Sequence, residues 1–386
     1  MMRSVWWSIA VAGLTGAAVA PAQWVLMRED ADNLVQQGIF YIYNMQFDSA
    51  EHYFRELIHR YPEHPAGYFM DAMVSWWKIL TNRRSRAYDE EFLAEIQRVL
   101  DVCQPILEQN PYDIVGLFFK GGALGYRGRF YAMRESWIRA ANDGREGFEI
   151  LMRVQRLAPT NYDVLLGTGV YNYYAVKLPE MYPILRPLLL FLPPGDKELG
   201  IAQLRASARH ARYAATEAKV VLLQILYDFE HNIPEALTVA EELFQQYPRN
   251  PYFHRYLGRC YVRMGYLEKM EEVWREVLRR SIEKWNGYEE LTAREALYYV
   301  GLALMQRGQY EEALRYFYKC DELSRVLDED PSGFMVKVNL KIGNIYDLQG
   351  KRDLALMQYR KVLSWRDVQN SHEEARRYAE KPYGSQ

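Results

Sequence analysis

The chain has 386 residues, a formal net charge of −2 and 25% charged residues, so it offers no concentrated basic surface of the kind nucleic acid requires. Its three cysteines, Cys103, Cys260 and Cys320, are too few and too odd in number for a disulfide framework, and their apolar helical settings suit small buried hydrophobes. Aromatic residues reach 14%, with 31 Tyr among them, a residue that fills helix contacts while keeping its hydroxyl hydrated.

The N-terminus has the form of a secretory signal. Arg3 precedes a small-residue apolar run over 5–20, and Ala20-Pro21-Ala22 fits a cleavage site before Gln23. The reading is a signal peptide over 1–22 and an exported protein of the periplasm or cell envelope, with an uncleaved N-terminal anchor as the alternative. The apolar run is short for a membrane span.

A helical repeat follows over 31–64. Leu34, Gly38 and Tyr41 mark its first helix, Ala50, Phe54 and Leu57 its second, and Pro62 closes it. The next two units, 62–111 and 111–159, are longer. The first reads as helix over 68–80, an exposed loop over 81–85 and a partner helix over 92–107. The second begins a helix at 117–124, loosens over Gly125–Arg129 and resumes at 137–157. Their endings recur, Asn110-Pro111-Tyr112-Asp113 and Pro159-Thr160-Asn161-Tyr162-Asp163.

A fourth unit starts at Tyr162 and is interrupted by 178–194, which holds five prolines. Proline removes a helical hydrogen bond and clashes with the preceding turn, so this stretch is not expected to be one regular helix. Ile184, Leu185 and Leu188 to Leu192 make it strongly apolar. It reads either as a packed insert, folded against the helix carrying Tyr171 and Tyr174 or into the groove, or as an elbow facing a partner or membrane surface. Pro193-Pro194-Gly195 turns the chain, and Asp196 is placed to N-cap a helix over 197–209.

Regular units return at 217–250 and 251–284, each of 34 residues. In the second, His254, Leu257, Gly258 and Tyr261 share one helical face, Gly265 breaks the pattern, and Met270, Trp274 and Val277 line the next helix. Two further units carry Gly301, Gly308, Tyr310, Ala313 and Phe317, then Gly343, Tyr346, Gly350, Ala355 and Tyr359, with a loop over 328–333 between them. This period, with small, aromatic and Pro positions fixed, resembles the tetratricopeptide (TPR) repeat. The resemblance implies an all-α solenoid over 23–375, regular at 31–64 and 217–365 and irregular at 65–216, with a tail over 376–386. Residues 188–204 bear a looser similarity to an elbow of the eukaryotic inclusion-body-clearance TPR family, from which the secretory start departs.

Catalytic and metal motifs are lacking. The glycine-rich 121–128 follows a helix and lacks the Gly-Lys-Ser/Thr ending, so it reads as close helix packing. His52, His59 and His64 lack converging partners and read as surface residues. No nucleophile, acid and base set is visible, and no cofactor is called for. In TPR proteins the first helix of each repeat lines a concave groove, and the resemblance assigns Phe69, Met73, Trp76, Trp77, Phe118, Tyr126, Tyr173 and Tyr174 to it. Arg255, Arg259 and Arg263 form a row at i, i+4, i+8 that either recognises an anion or pairs with nearby acids. The expected function is a non-enzymatic scaffold binding a peptide or protein partner in this groove. The alternative is a structural part of an envelope or secretion assembly that uses the convex face.

Overall fold

A computed structural model describes Leu26, residues 28–189 and residues 192–385. The signal-peptide reading lies outside the described residues, as do Leu190 and Phe191 of the elbow. Among the described residues every regular element is a helix.

The helices pair antiparallel in chain order. The pairs are α1 (Glu29–Tyr43) with α2 (Phe47–Arg60), α3 (Pro65–Thr81) with α4 (Asp89–Gln109), and α5 (Ile114–Met133) with α6 (Trp137–Leu157). Helix α7 (Val164–Met181) pairs with α9 (Lys197–His210) across an insert that contains a 3₁₀ turn (Pro183–Leu185) and the short α8 (Arg186–Leu189). Then come α10 (Ala215–Gln224) with α11 (Ile233–Gln246), α12 (Pro251–Met264) with α13 (Leu267–Ile282), α14 (Glu290–Gln306) with α15 (Tyr310–Leu327), and α16 (Gly333–Leu348) with α17 (Arg352–Leu363). Helix α18 (Ser371–Glu380) packs on α16 and α17 and covers the final pair.

Small residues set the spacing within each pair. A Cβ on Gly38 would stand 2.2 Å from the Phe54 ring, and one on Gly200 would meet the Tyr173 backbone nitrogen at 2.7 Å. The expected loosening of α5 over 125–129 does not occur, and the helix runs unbroken to Met133. Gly128 faces the backbone of α6, where an added Cβ would lie 3.2 Å from the Gly144 nitrogen. Gly128 therefore brings α5 and α6 together instead of breaking the helix, a gain in packing that outweighs its poor helix propensity of about 1 kcal/mol.

The proline segment is less irregular than its composition suggests. Helix α7 continues through Pro179 to Met181, so the proline falls in the last turn and removes only the bond its own N–H would make to the Ala175 carbonyl. Pro183 opens the 3₁₀ turn at a position where a missing N–H costs nothing. Asp196 accepts the Leu199 N–H at 2.9 Å, the expected N-cap of α9. The insert is partly packed: Leu185 is buried, Tyr171 donates its hydroxyl to the Pro193 carbonyl at 2.9 Å, and Ile184 stays 86% exposed.

The solenoid closes on itself after five repeats. The first helices α1, α3, α5, α7 and α10 stand around a common centre, and α1 meets α10 where Tyr43 donates to Glu217. The sixth repeat then docks on the first and second. Trp77 lies edge-on to Phe253 at 5.7 Å, Asn250 donates to the Tyr43 carbonyl at 2.9 Å, and Asn286 donates to the Met45 carbonyl at 2.6 Å. The seam continues through Asn82 with Glu289 at 3.1 Å and Arg84 with Asp328 at 2.6 Å. It also buries the edges of aromatics that would otherwise face water.

Candidate functional site: the central cleft

Closure encloses a cleft of about 490 Å³ at the centre of the five-helix ring. This size falls within the range of small-ligand sites, about 300–1,000 Å³. Helix α3 contributes Phe69, Met73, Trp76 and Trp77, α5 contributes Phe118 and Tyr126, and α7 contributes Tyr174. The resemblance to TPR repeats places these seven in the groove. They share it because one face of each first helix turns inward, with residues three, four and seven apart in line. Burial raises the Tyr174 phenol to about 12, keeping it neutral.

Tyr173 is placed elsewhere. It is fully buried and donates to Glu230 at 2.6 Å, so it braces α7 rather than lining the cleft. The arginine row also lies outside the cleft lining. Arg255 and Arg259 both bind Glu295, at 2.7 and 2.5 Å. Burial alone would raise the Glu295 carboxyl, but the two guanidinium groups outweigh it and hold Glu295 down at about 2. Arg263 is exposed, lies over the Tyr227 ring at 5.1 Å and donates to the Tyr227 carbonyl at 3.1 Å. The first two arginines are thus structural counterions of a buried acid, and the third caps the end of the neighbouring repeat.

The cleft holds charged groups that the repeat phase did not single out. Arg129 and Glu217 form an ion pair at 3.2 Å, and Arg129 lies over the faces of Trp76 and Tyr126 at 5.0 and 5.2 Å. Tyr43 donates to the other Glu217 oxygen at 3.3 Å. Asp163 accepts the Tyr213 and Ala214 backbone N–H groups at 2.8 and 2.7 Å, tying α7 to the start of α10. At the other end, α10 continues into a π-helical turn, Ile225–Phe229. That wider turn places Phe229 and Asp228 at the cleft, with Asp228 accepting the Tyr256 hydroxyl at 2.7 Å. Such single turns recur at binding sites because they re-aim side chains without ending the helix. The signal in the sequence was Glu217, the one acid in α10.

The remaining chemistry is quiet. All three cysteines are free and buried, and burial pushes each thiol up to about 12. Of the histidine trio, His52 and His59 are exposed, but His64 is buried: its Nδ1 accepts the Ala66 N–H at 3.2 Å and caps α3. A helix start needed an acceptor there, which corrects the surface reading. Among the described residues, no group of three or more His, Cys, Asp or Glu is placed to hold a metal ion, and no helix is long and apolar enough to cross a membrane.

Three models of the tetratricopeptide repeat match residues 32–64, 271–331 and 336–368. The chain is a tetratricopeptide-repeat protein. Its fold is similar to that in the crystal structure of the APC/C hetero-tetramer Cut9–Hcn1, with a TM-score of 0.53 at 12% identity, covering 92% of this chain. The TPR protein spans 58% of the length of that chain. Two further similar structures are the human IFIT1 dimer with m7Gppp-AAAA (TM-score 0.41, 12% identity, 92% and 88% of the two chains) and yeast Tom70 (TM-score 0.40, 11% identity, 93% and 90%).

Proposed function

We propose that this TPR protein is a non-enzymatic interaction scaffold that holds an apolar element of its partner in the central cleft. The TPR fold supports the coarser statement, a scaffold for interactions. The observation that carries the finer one is the cleft itself: a 490 Å³ apolar space that the closed ring encloses and leaves unfilled. Packed interiors leave few voids larger than a water molecule, so a space this large between the first helices of the first five repeats points to a ligand. In this reading the arginine row takes no part in the cleft, since Glu295 occupies Arg255 and Arg259 and Tyr227 engages Arg263.

The test is affinity capture with the full chain and with a variant whose cleft is filled, Ala141→Trp. Partners retained by the parent and lost by the variant support the reading. Partners retained equally by both would place binding on the convex face and favour the structural-assembly alternative. We further propose that the protein is exported, on the strength of Arg3, the apolar run and Ala20-Pro21-Ala22. N-terminal sequencing of envelope material should begin near Gln23, and intact chain in the cytoplasmic fraction would contradict it.

A further inference from the structure

We infer that the cleft binds a single-chain amphiphile of the fatty-acid type, with the acyl chain among the ring helices and the anionic head at Arg83. The inference rests on the reading of the cleft as a site for an apolar element and identifies that element as an acyl chain instead of a peptide segment.

The walls come first. Apart from a few polar and charged groups, the lining is aliphatic and aromatic. An extended peptide would bury backbone N–H and C=O groups there with few partners, at a cost of roughly 1–3 kcal/mol per unsatisfied group. An acyl chain has no such groups. The cleft also has suitable length: its α3 wall runs from Ala66 to Leu80, a rise of about 21 Å at 1.5 Å per residue. An acyl chain in one leaflet spans about 15 Å, half of a hydrocarbon core.

Two glycines widen the cleft without serving the packing. Gly125 on α5 and Gly144 on α6 both line it, and a Cβ on either would have nothing within 4 Å. Each sits inside a helix, where Gly is about 1 kcal/mol worse than Ala. Their neighbours Gly121, Gly128 and Gly147 do make close contacts, which accounts for them. Space for a ligand accounts for the other two.

The charges give the polarity. Of the charged residues on the lining, Arg129 and Glu217 bind each other, Asp163 holds backbone amides, and Asp228 holds Tyr256. Arg83 also lines the cleft, is exposed, and among the described residues its guanidinium has no ion pair or side-chain hydrogen bond. It sits in the turn after α3, at the end of the ring where Leu178 and Leu185 also reach the lining beside the exposed Ile184. Arg83 and Asp228 face the same two phenols, Tyr174 and Tyr252. Asp228 accepts the Tyr256 hydroxyl, while the Arg83 guanidinium has no ion-pair or hydrogen-bond partner among the described residues, so Arg83 is the group at that end that fits a ligand with one negative end.

The experiment uses palmitate, with palmityl alcohol as the uncharged probe of equal chain length, titrated into the full chain and followed by tryptophan fluorescence. Saturable palmitate binding at one site per chain is expected. Gly125→Phe should abolish it without lowering the melting temperature, since the new side chain enters open space. Arg83→Glu should weaken palmitate about tenfold, the worth of a charge-assisted pair, and change the alcohol less than twofold. Undiminished palmitate binding by Gly125→Phe, or an equal effect of Arg83→Glu on both probes, would overturn the inference. If palmitate fails to bind while a cleft-dependent protein partner is captured, the inference fails and the proposed scaffold function stands.

Discussion

At the scale of single residues, half-buried carboxyls couple this protein's stability to pH. Burial between α3 and α4 raises Asp71 to about 6 and Glu95 to about 7. A raised carboxyl is bound to its proton more tightly in the folded chain than in the unfolded one. Its contribution is present below the ordinary carboxylate range and is lost as pH rises through 6 to 7. His254 acts in the opposite sense: burial holds it down at about 3, so its contribution is lost as pH falls below the ordinary histidine range. A difference between variants cancels that term. Glu95→Gln should therefore melt higher than the parent at pH 8, by on the order of 2 °C, and alike at pH 5. Thermal unfolding followed by circular dichroism at both pH values checks it, and an equal offset at both would show that Glu95 is not protonated in the fold.

At the scale of elements, what the sequence made readable was what repeats. Small residues at Gly38, Gly258, Gly301 and Gly343 oppose Phe54, Trp274, Phe317 and Tyr359 in turn, and that opposition recurs with the repeat and so shows in the sequence. Inward positions such as Phe69 and Trp76 follow from the same phase. Continuity of α5 past Gly128 was not readable, because local propensity argued for a break and the close approach of α6 reversed it. Continuity of α7 through Pro179 was not readable, because a proline in the last turn removes only one helical bond. The cap of α9 was readable because it is local. Asp196→Ala should remove the bond to the Leu199 N–H and cost about 1 kcal/mol. Hydrogen exchange should show it as about fivefold faster exchange at the start of α9 with α12 and α13 unchanged. Unchanged exchange at Leu199 would mean that packing on α7 alone sets the helix start.

At the scale of the whole molecule, closure distinguishes this array from a simple stack in which each repeat touches only its neighbours. No sequence period reports that Trp77 will meet Phe253, so the enclosed cleft and its Arg129–Glu217 pair were not legible, although part of its aromatic lining was, namely Phe69, Trp76, Trp77, Phe118, Tyr126 and Tyr174. Asp328 is the most charged point of the seam, held by Arg84 and Arg294 with its side chain 6% exposed. Asp328→Lys would set three cations together, and breaking such a buried pair costs roughly 3–5 kcal/mol. The variant should show a larger radius of gyration by small-angle X-ray scattering and a lower melting temperature. Unchanged scattering would mean that Trp77 and Phe253 hold the seam without the ion pairs.

The seam also imposes a timetable on synthesis. Most of the surface that Trp77 presents to Phe253 leaves the ribosome 176 residues before its counterpart, a wait of roughly 9–35 s at about 5–20 residues per second. Through that interval the early repeats carry uncovered aromatic edges and an unfinished channel. A chain interrupted after α11 would keep them permanently. The later repeats therefore act as a closing partner encoded in the same gene, and a nascent chain of this protein is a client for whatever shields apolar surface until the second half arrives.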